Sequence, residues 1–204
     1  MSLRAFVAVD VPPSQELERA IEGLRGFGRA LKPVLPANIH ITLKFLGEID
    51  EGTVPGIEAA MRRAVEGVRP FALRLVGVGA FPSTHSPRVI WTGIEGAEPL
   101  AKMAAALEEG CEPLGFPRER RPFSPHLTLA RVREGQRPDL HAFLEMYRGR
   151  DLGSFQVDRV RLKRSVLTPS GPIYSDLLEI PLSARCSQTG RTRWSSVGPG
   201  AGAP

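Results

Sequence analysis

His40-Ile41-Thr42-Leu43 and His126-Leu127-Thr128-Leu129 are two copies of one pattern, a histidine and a threonine two residues apart with aliphatic residues in the alternate positions. On an extended strand residues i and i+2 point to the same face. Each copy therefore predicts a strand that turns an imidazole and a hydroxyl to one side and buries its aliphatic residues on the other. Two such strands facing each other supply two titratable imidazoles and two hydroxyl donors to one cleft. That set suits a tetrahedral oxyanion such as phosphate, with protons moving on and off it. The chain has only 4 His and 8 Thr, so two such spacings arise in roughly 1% of shuffled chains, and the apolar alternates make the pair rarer still. A single strand histidine with a local hydrogen bond needs no function. The repetition is what points to a site.

Around these strands the composition is that of a globular protein: 42% of the 204 residues are hydrophobic and 24% charged, enough for one domain with a sizeable core. No apolar run approaches the ~20 residues that span a bilayer. The N-terminal stretch from Met1 to Asp10 is too short, and lacks the cleavage site, for a secretory signal. A cytoplasmic protein is the expectation. Cys111 and Cys186 form no C-x-x-C pair and read as free thiols. Net charge is +5, and Arg185, Arg191 and Arg193 lie in an acid-free stretch over 184–204, which leaves +2 for residues 1–183. This modest basic excess suits an anionic ligand such as RNA without proving it. The stretch 184–204 is rich in Ser, Gly, Pro, Thr and Arg and is expected to be a disordered tail beyond a folded domain over 1–183. Trp194, within it, carries no assigned role.

Residues 3–9 read as a first strand. Pro12-Pro13-Ser14 opens a helix to about residue 31, ended by Pro33 and Pro36, and the first motif strand covers 39–46. A helix over 54–68, a hairpin of 71–78 with 88–94, and a helix over 99–114 follow. The second motif strand is 126–132, then come a short helix over 140–147 and a closing hairpin of 155–167 with 173–178. A strand, helix, motif strand and helix recur in each half, which hints at two equivalent lobes.

Opening a phosphodiester requires a base to take a proton from the nucleophile and an acid to protonate the leaving oxygen. Two histidines fill both roles near neutrality, and threonine hydroxyls donate to the non-bridging oxygens. The scheme requires no metal or cofactor, and the sequence shows neither an H-E-x-x-H pair nor a G-x-x-x-x-G-K-[ST] loop.

With these motifs the chain resembles the two-histidine phosphoesterase superfamily, marked by paired H-x-[ST]-x motifs. Within it, residues 4–9, 38–48, 87–93, 123–131 and 171–174 are similar to the RNA 2′,3′-cyclic phosphodiesterase family, also called 2′-5′ RNA ligase. The resemblance runs from about residue 3 to 182. It implies an α+β fold of two pseudo-symmetric lobes, each an antiparallel sheet with helices outside, around a V-shaped central groove. It implies a monomer acting on RNA that ends in a 2′,3′-cyclic phosphate, tRNA fragments among them, and leaving a 2′-phosphate. By analogy His40 is the acid and His126 the base, which the sequence alone does not separate. Thr42 and Thr128 would hold the phosphate. The family also uses an aromatic and an arginine five residues after the histidines, here Phe45 and Arg131, for the terminal base and phosphate.

Strict alternation conflicts with those last two. It sets Phe45 beside Ile41 and Leu43, and Arg131 beside Leu127 and Leu129, on the core faces, so a bulge, twist or strand end is needed to reorient them. For Phe45 a plain core role stands open beside stacking. An unpaired core arginine is costly, which favours the groove for Arg131. Lys44 falls on the His40/Thr42 face, either adding charge to the groove or simply solvated. His85 and His141 read as surface histidines, and Arg88 as a strand-edge charge, with a place along an RNA path as the alternative. Two rivals use the same sequence: ATP-independent 2′-5′ ligation to a 5′-hydroxyl, and a non-catalytic RNA-binding module. A third possibility is another substrate within the superfamily, a small cyclic nucleotide or an ADP-ribose cyclic phosphate.

Overall fold

In a computed structural model, residues 2–169 and 171–183 are described, and the expected disordered tail lies outside them. Nine strands and four α-helices follow one another along the described residues: β1 (Ser2–Asp10), α1 (Gln15–Arg25), β2 (Leu31–Pro33), β3 (His40–Asp50), α2 (Val54–Ala64), β4 (Phe71–Pro82), β5 (Pro87–Glu95), α3 (Glu98–Cys111), β6 (His126–Val132), α4 (His141–Met146), β7 (Asp151–Val157), β8 (Arg159–Thr168) and β9 (Gly171–Pro181). They form two antiparallel sheets with the orders β3-β1-β8-β9 and β2-β6-β5-β4-β7. The motif strands β3 and β6 lie one in each sheet. No described helix is long and apolar enough to cross a membrane.

Each sheet has a core face and an open face, as the alternation dictates. Ala5, Val7, Val9, Ile41, Leu127 and Leu129 belong to the core cluster, while the histidines and threonines of both motifs are half-buried on the other side. The helices close the core faces. Ser14 caps α1, accepting from the Leu17 N–H at 3.1 Å and donating to the Leu152 carbonyl of β7, which satisfies one of the orphan donors of a helix start. Leu17, Ala20, Ile21 and Leu24 are the buried stripe of α1.

The two lobes are not the two halves of the chain. Helix α1, from the first half, packs on β2, β6 and β7 of the second motif's sheet, and α3, from the second half, packs on β3. The last hairpin, β8 and β9, returns to the first sheet. An amphipathic stripe requires a partner surface but does not specify which one. Other boundaries differ as well. The first helix stops at Arg25 rather than near 31, because the chain turns there to lay down β2 against β6, with Lys32 opposite Arg131. The expected 155–167 strand is two: Phe155 pairs with Leu73 in one sheet, and the chain crosses at Asp158 into the other.

Candidate functional site

His40 opens β3 and His126 opens β6. In both, Nδ1 lies against the carbonyl two residues earlier: 2.7 Å to Asn38 O and 2.8 Å to Ser124 O. A carbonyl only accepts, so Nδ1–H donates, and Nε2 is left with the free lone pair in the neutral ring. The same main-chain contact thus fixes the tautomer at both positions. Asn38 is itself held by its side-chain amide, which donates to Pro172 O of β9 at 2.8 Å.

The conflict over Phe45 and Arg131 is resolved by a bulge in each motif strand. In β3, Ala8 opposes Thr42 and Val7 opposes Lys44, so Leu43 has no partner. In β6, Trp91 opposes Thr128 and Ile90 opposes Ala130, which leaves Leu129 out. An extra residue inverts the alternation beyond it. Both bulges fall at the fourth motif position, and both turn the residue five after the histidine back to the histidine's face. Phe45 is accordingly 60% exposed rather than core, and Arg131 is exposed.

The bulge also corrects the expectation for Lys44. It is 2% exposed and turned away from the site, with Nζ donating to Glu108 of α3 at 2.6 Å and to Pro117 O at 3.2 Å. Lys44 fastens the helix layer to the sheet.

Around His40 the walls are aromatic. Phe6 lies 4.9 Å away, centroid to centroid, and Tyr174 stands edge-on at 5.2 Å. Phe6 in turn is 6.3 Å from Phe45. This enclosure lowers the pKa of His40 by desolvating the charged ring, and the carbonyl of Asn38 and the charge of Asp10 oppose that, while Lys163 and Arg131 add to it. Asp10 sits opposite His40 in the sheet and is paired with Arg161 at 2.6 Å and Lys163 at 2.9 Å. Burial raises Tyr174, with Arg131 and Arg4 pulling the other way. The two motif strands β3 and β6 also contact each other across the two sheets.

Lys32 lies directly beside Arg131 across β2 and β6, an arrangement of like charges that an anion relieves. Neither forms an ion pair among the described residues. His126 has its own aromatic neighbour: Phe81 stands edge-on at 5.4 Å and lies on Trp91 at 4.9 Å. Phe6, Tyr174, Phe81, Trp91, Asp10 and Lys32 all went unassigned from sequence, since each reaches the site through cross-strand register alone. His85, His141 and Arg88 are exposed. Among the described residues no three His, Cys, Asp or Glu converge to hold a metal ion. Cys111 is buried and free.

Residues 12–166 match the 2′-5′ RNA ligase superfamily. An Archaeoglobus fulgidus protein named RNA 2′,3′-cyclic phosphodiesterase is 39% identical over 177 residues, which cover 86% of this chain and 98% of that one. A protein of the same name from Thermus thermophilus is 36% identical over 188 residues, covering 88% and 90%. Among solved structures, one from Thermus thermophilus superposes with a TM-score of 0.70 at 33% identity, covering 88% of this chain and 98% of its own. Escherichia coli LigT complexed with 3′-AMP gives 0.69 at 26% identity, covering 90% and 99%. With its two motif strands, its two antiparallel sheets and a match over most of its length, this chain belongs to the 2′-5′ RNA ligase superfamily.

Proposed function

We propose that this protein hydrolyses the 2′,3′-cyclic phosphate at an RNA end to a 2′-phosphate, acting as a monomer, without metal or cofactor. The observation that carries the reading is the pair of imidazoles, each held by Nδ1 to a carbonyl two residues earlier, with Nε2 free. His126 takes the proton of water as it attacks phosphorus, the P–O3′ bond breaks, and His40 gives its proton to O3′. Thr42 and Thr128 donate to the non-bridging oxygens, and Arg131 with Lys32 supplies the positive field. Burial favours neutral His40 in the free protein. The bound anionic phosphate favours its charged form, the form an acid requires. The names of the relatives, and the nucleoside phosphate held by LigT, support a nucleotide phosphoester as substrate. RNA with a cyclic end, including tRNA fragments, is expected to be opened as fast in excess EDTA as without it. Loss of turnover on chelation, restored by a divalent ion, would overturn the mechanism.

Two imidazoles give a bell-shaped pH profile. Its low-pH limb in kcat/KM follows the lower of the two free-protein values. Because His40 is held below the ordinary imidazole value, that limb should lie on the acid side of about 6.5. Asp10→Asn removes a charge that raises His40 and should move the limb further to acid. A limb that moves to higher pH would contradict this electrostatic account.

In this reading Phe45 stacks on the terminal base, which its exposure supports. Phe45→Leu should raise KM about tenfold, in the range of a base–aromatic stack, with little change in Tm because the ring is exposed. Arg131→Lys keeps the charge but loses the planar fork that meets two phosphate oxygens, so kcat/KM should fall. Unchanged KM in the first, or wild-type kinetics in the second, would remove that residue from the site.

A further inference from the structure

The two walls of the cleft carry matching aromatic arrangements. On one, His40 touches Phe6, and Phe45 lies beyond it with 60% of its surface open. On the other, His126 touches Phe81, which is 37% exposed. Phe81 is a built feature of that wall. Its ring lies nearly parallel to the Trp91 indole, at 24°, and perpendicular to the His126 imidazole, at 88°. The indole lies flat because Gly79 stands opposite it: a Cβ there would come 2.5 Å from Trp91 Cζ2. Trp91 thus backs one face of Phe81, beside Thr128. An exposed aromatic with a supported rear face is what a nucleobase stacks on.

One terminal nucleoside occupies one such shelf, and Phe45 takes it in the reading above. The second shelf stands at the histidine that activates the nucleophile. We propose that Phe81, backed by Trp91, is the shelf for the base of a second nucleoside, the one whose 5′ oxygen lies on the His126 side of phosphorus. This rests on the assignment of His126 as base. With a 5′-hydroxyl in place of water, the O5′–H proton goes to His126 Nε2, the O5′–P bond forms, the P–O3′ bond breaks, and O3′ takes the proton of His40. A 2′-5′ phosphodiester results, and the reverse reaction cleaves one to a cyclic phosphate and a 5′-hydroxyl nucleoside. Water needs no shelf; a nucleoside acceptor does.

The test measures KM for adenylyl-2′-5′-adenosine cleavage and for hydrolysis of adenosine 2′,3′-cyclic phosphate in the same preparation. The ratio of the two should rise about tenfold in Phe81→Ala and in Gly79→Ala, where Phe81 is intact but its indole support is displaced. Phe81→Tyr, which keeps the ring, should restore the wild-type ratio, and Phe81→Leu serves if the alanine variant does not fold. Parallel changes on both substrates would make Phe81 a support for His126 and overturn the shelf. So would no change on either, or a wild-type protein that opens the cyclic mononucleotide and leaves the dinucleotide intact. Failure of the wild type on the cyclic mononucleotide itself would instead overturn the hydrolytic reading beneath it.

Discussion

Replacing His40 or His126 by alanine is expected to slow turnover about 10²–10⁴-fold, the range for loss of a positioned general acid or base. Both imidazoles lie on the open face of their sheets, outside the core cluster, so the loss should appear in kcat with little change in Tm. The two histidines act on one transfer, and removing both should slow it far less than the product of the single effects. Thr42→Val and Thr128→Val should lose less, since each removes one donor of several. Single-turnover rates on a cyclic-phosphate end measure all of these. Near wild-type rates in either histidine variant would exclude the two-histidine mechanism, whatever the superfamily match.

The second large effect is on stability. Glu108→Ala should destabilise the fold by about 3–5 kcal/mol, because it leaves Lys44 charged and buried without its partner. In the native protein the Lys44 side chain is 1% exposed and that of Glu108 19%, at 2.6 Å. Glu108 also accepts from the Glu119 N–H at 3.1 Å, so one carboxylate ties β3, α3 and the segment beyond it together. Replacing both partners by apolar residues, Lys44→Met with Glu108→Leu, removes the buried charge and should recover most of the loss. Urea melts of the three variants decide it. A double variant as unstable as Glu108→Ala would show that the carboxylate's link to Glu119, rather than the ion pair, carries the stability.

That Lys44 serves the core rather than the cleft shows where sequence reading stops. The motif strands were legible because two residues of alternation place a histidine and a threonine on one face, and this holds up to the third motif position. Beyond it, facing depends on whether the partner strand skips a residue. The skips at Leu43 and Leu129 are properties of pairing with Val7 and Ala8 on one side and Ile90 and Trp91 on the other. Phe45, Lys44 and Arg131 therefore needed the structure. The assignment of α1 to the second motif's sheet was equally hidden, since Leu17, Ile21 and Leu24 specify a stripe but no partner. The Nδ1 contacts of both histidines use main-chain carbonyls, which any residue at 38 or 124 would supply.

The most direct measurement of the central claim is the identity of the product end. RNA with a 2′,3′-cyclic phosphate terminus is incubated with the full chain in excess EDTA, and the phosphate position is read by phosphorus NMR. Water entering from the His126 side, with O3′ protonated by His40, yields a terminal 2′-phosphate alone. A 3′-phosphate, or an intact cyclic end beside an active metal-supplemented control, would contradict the account.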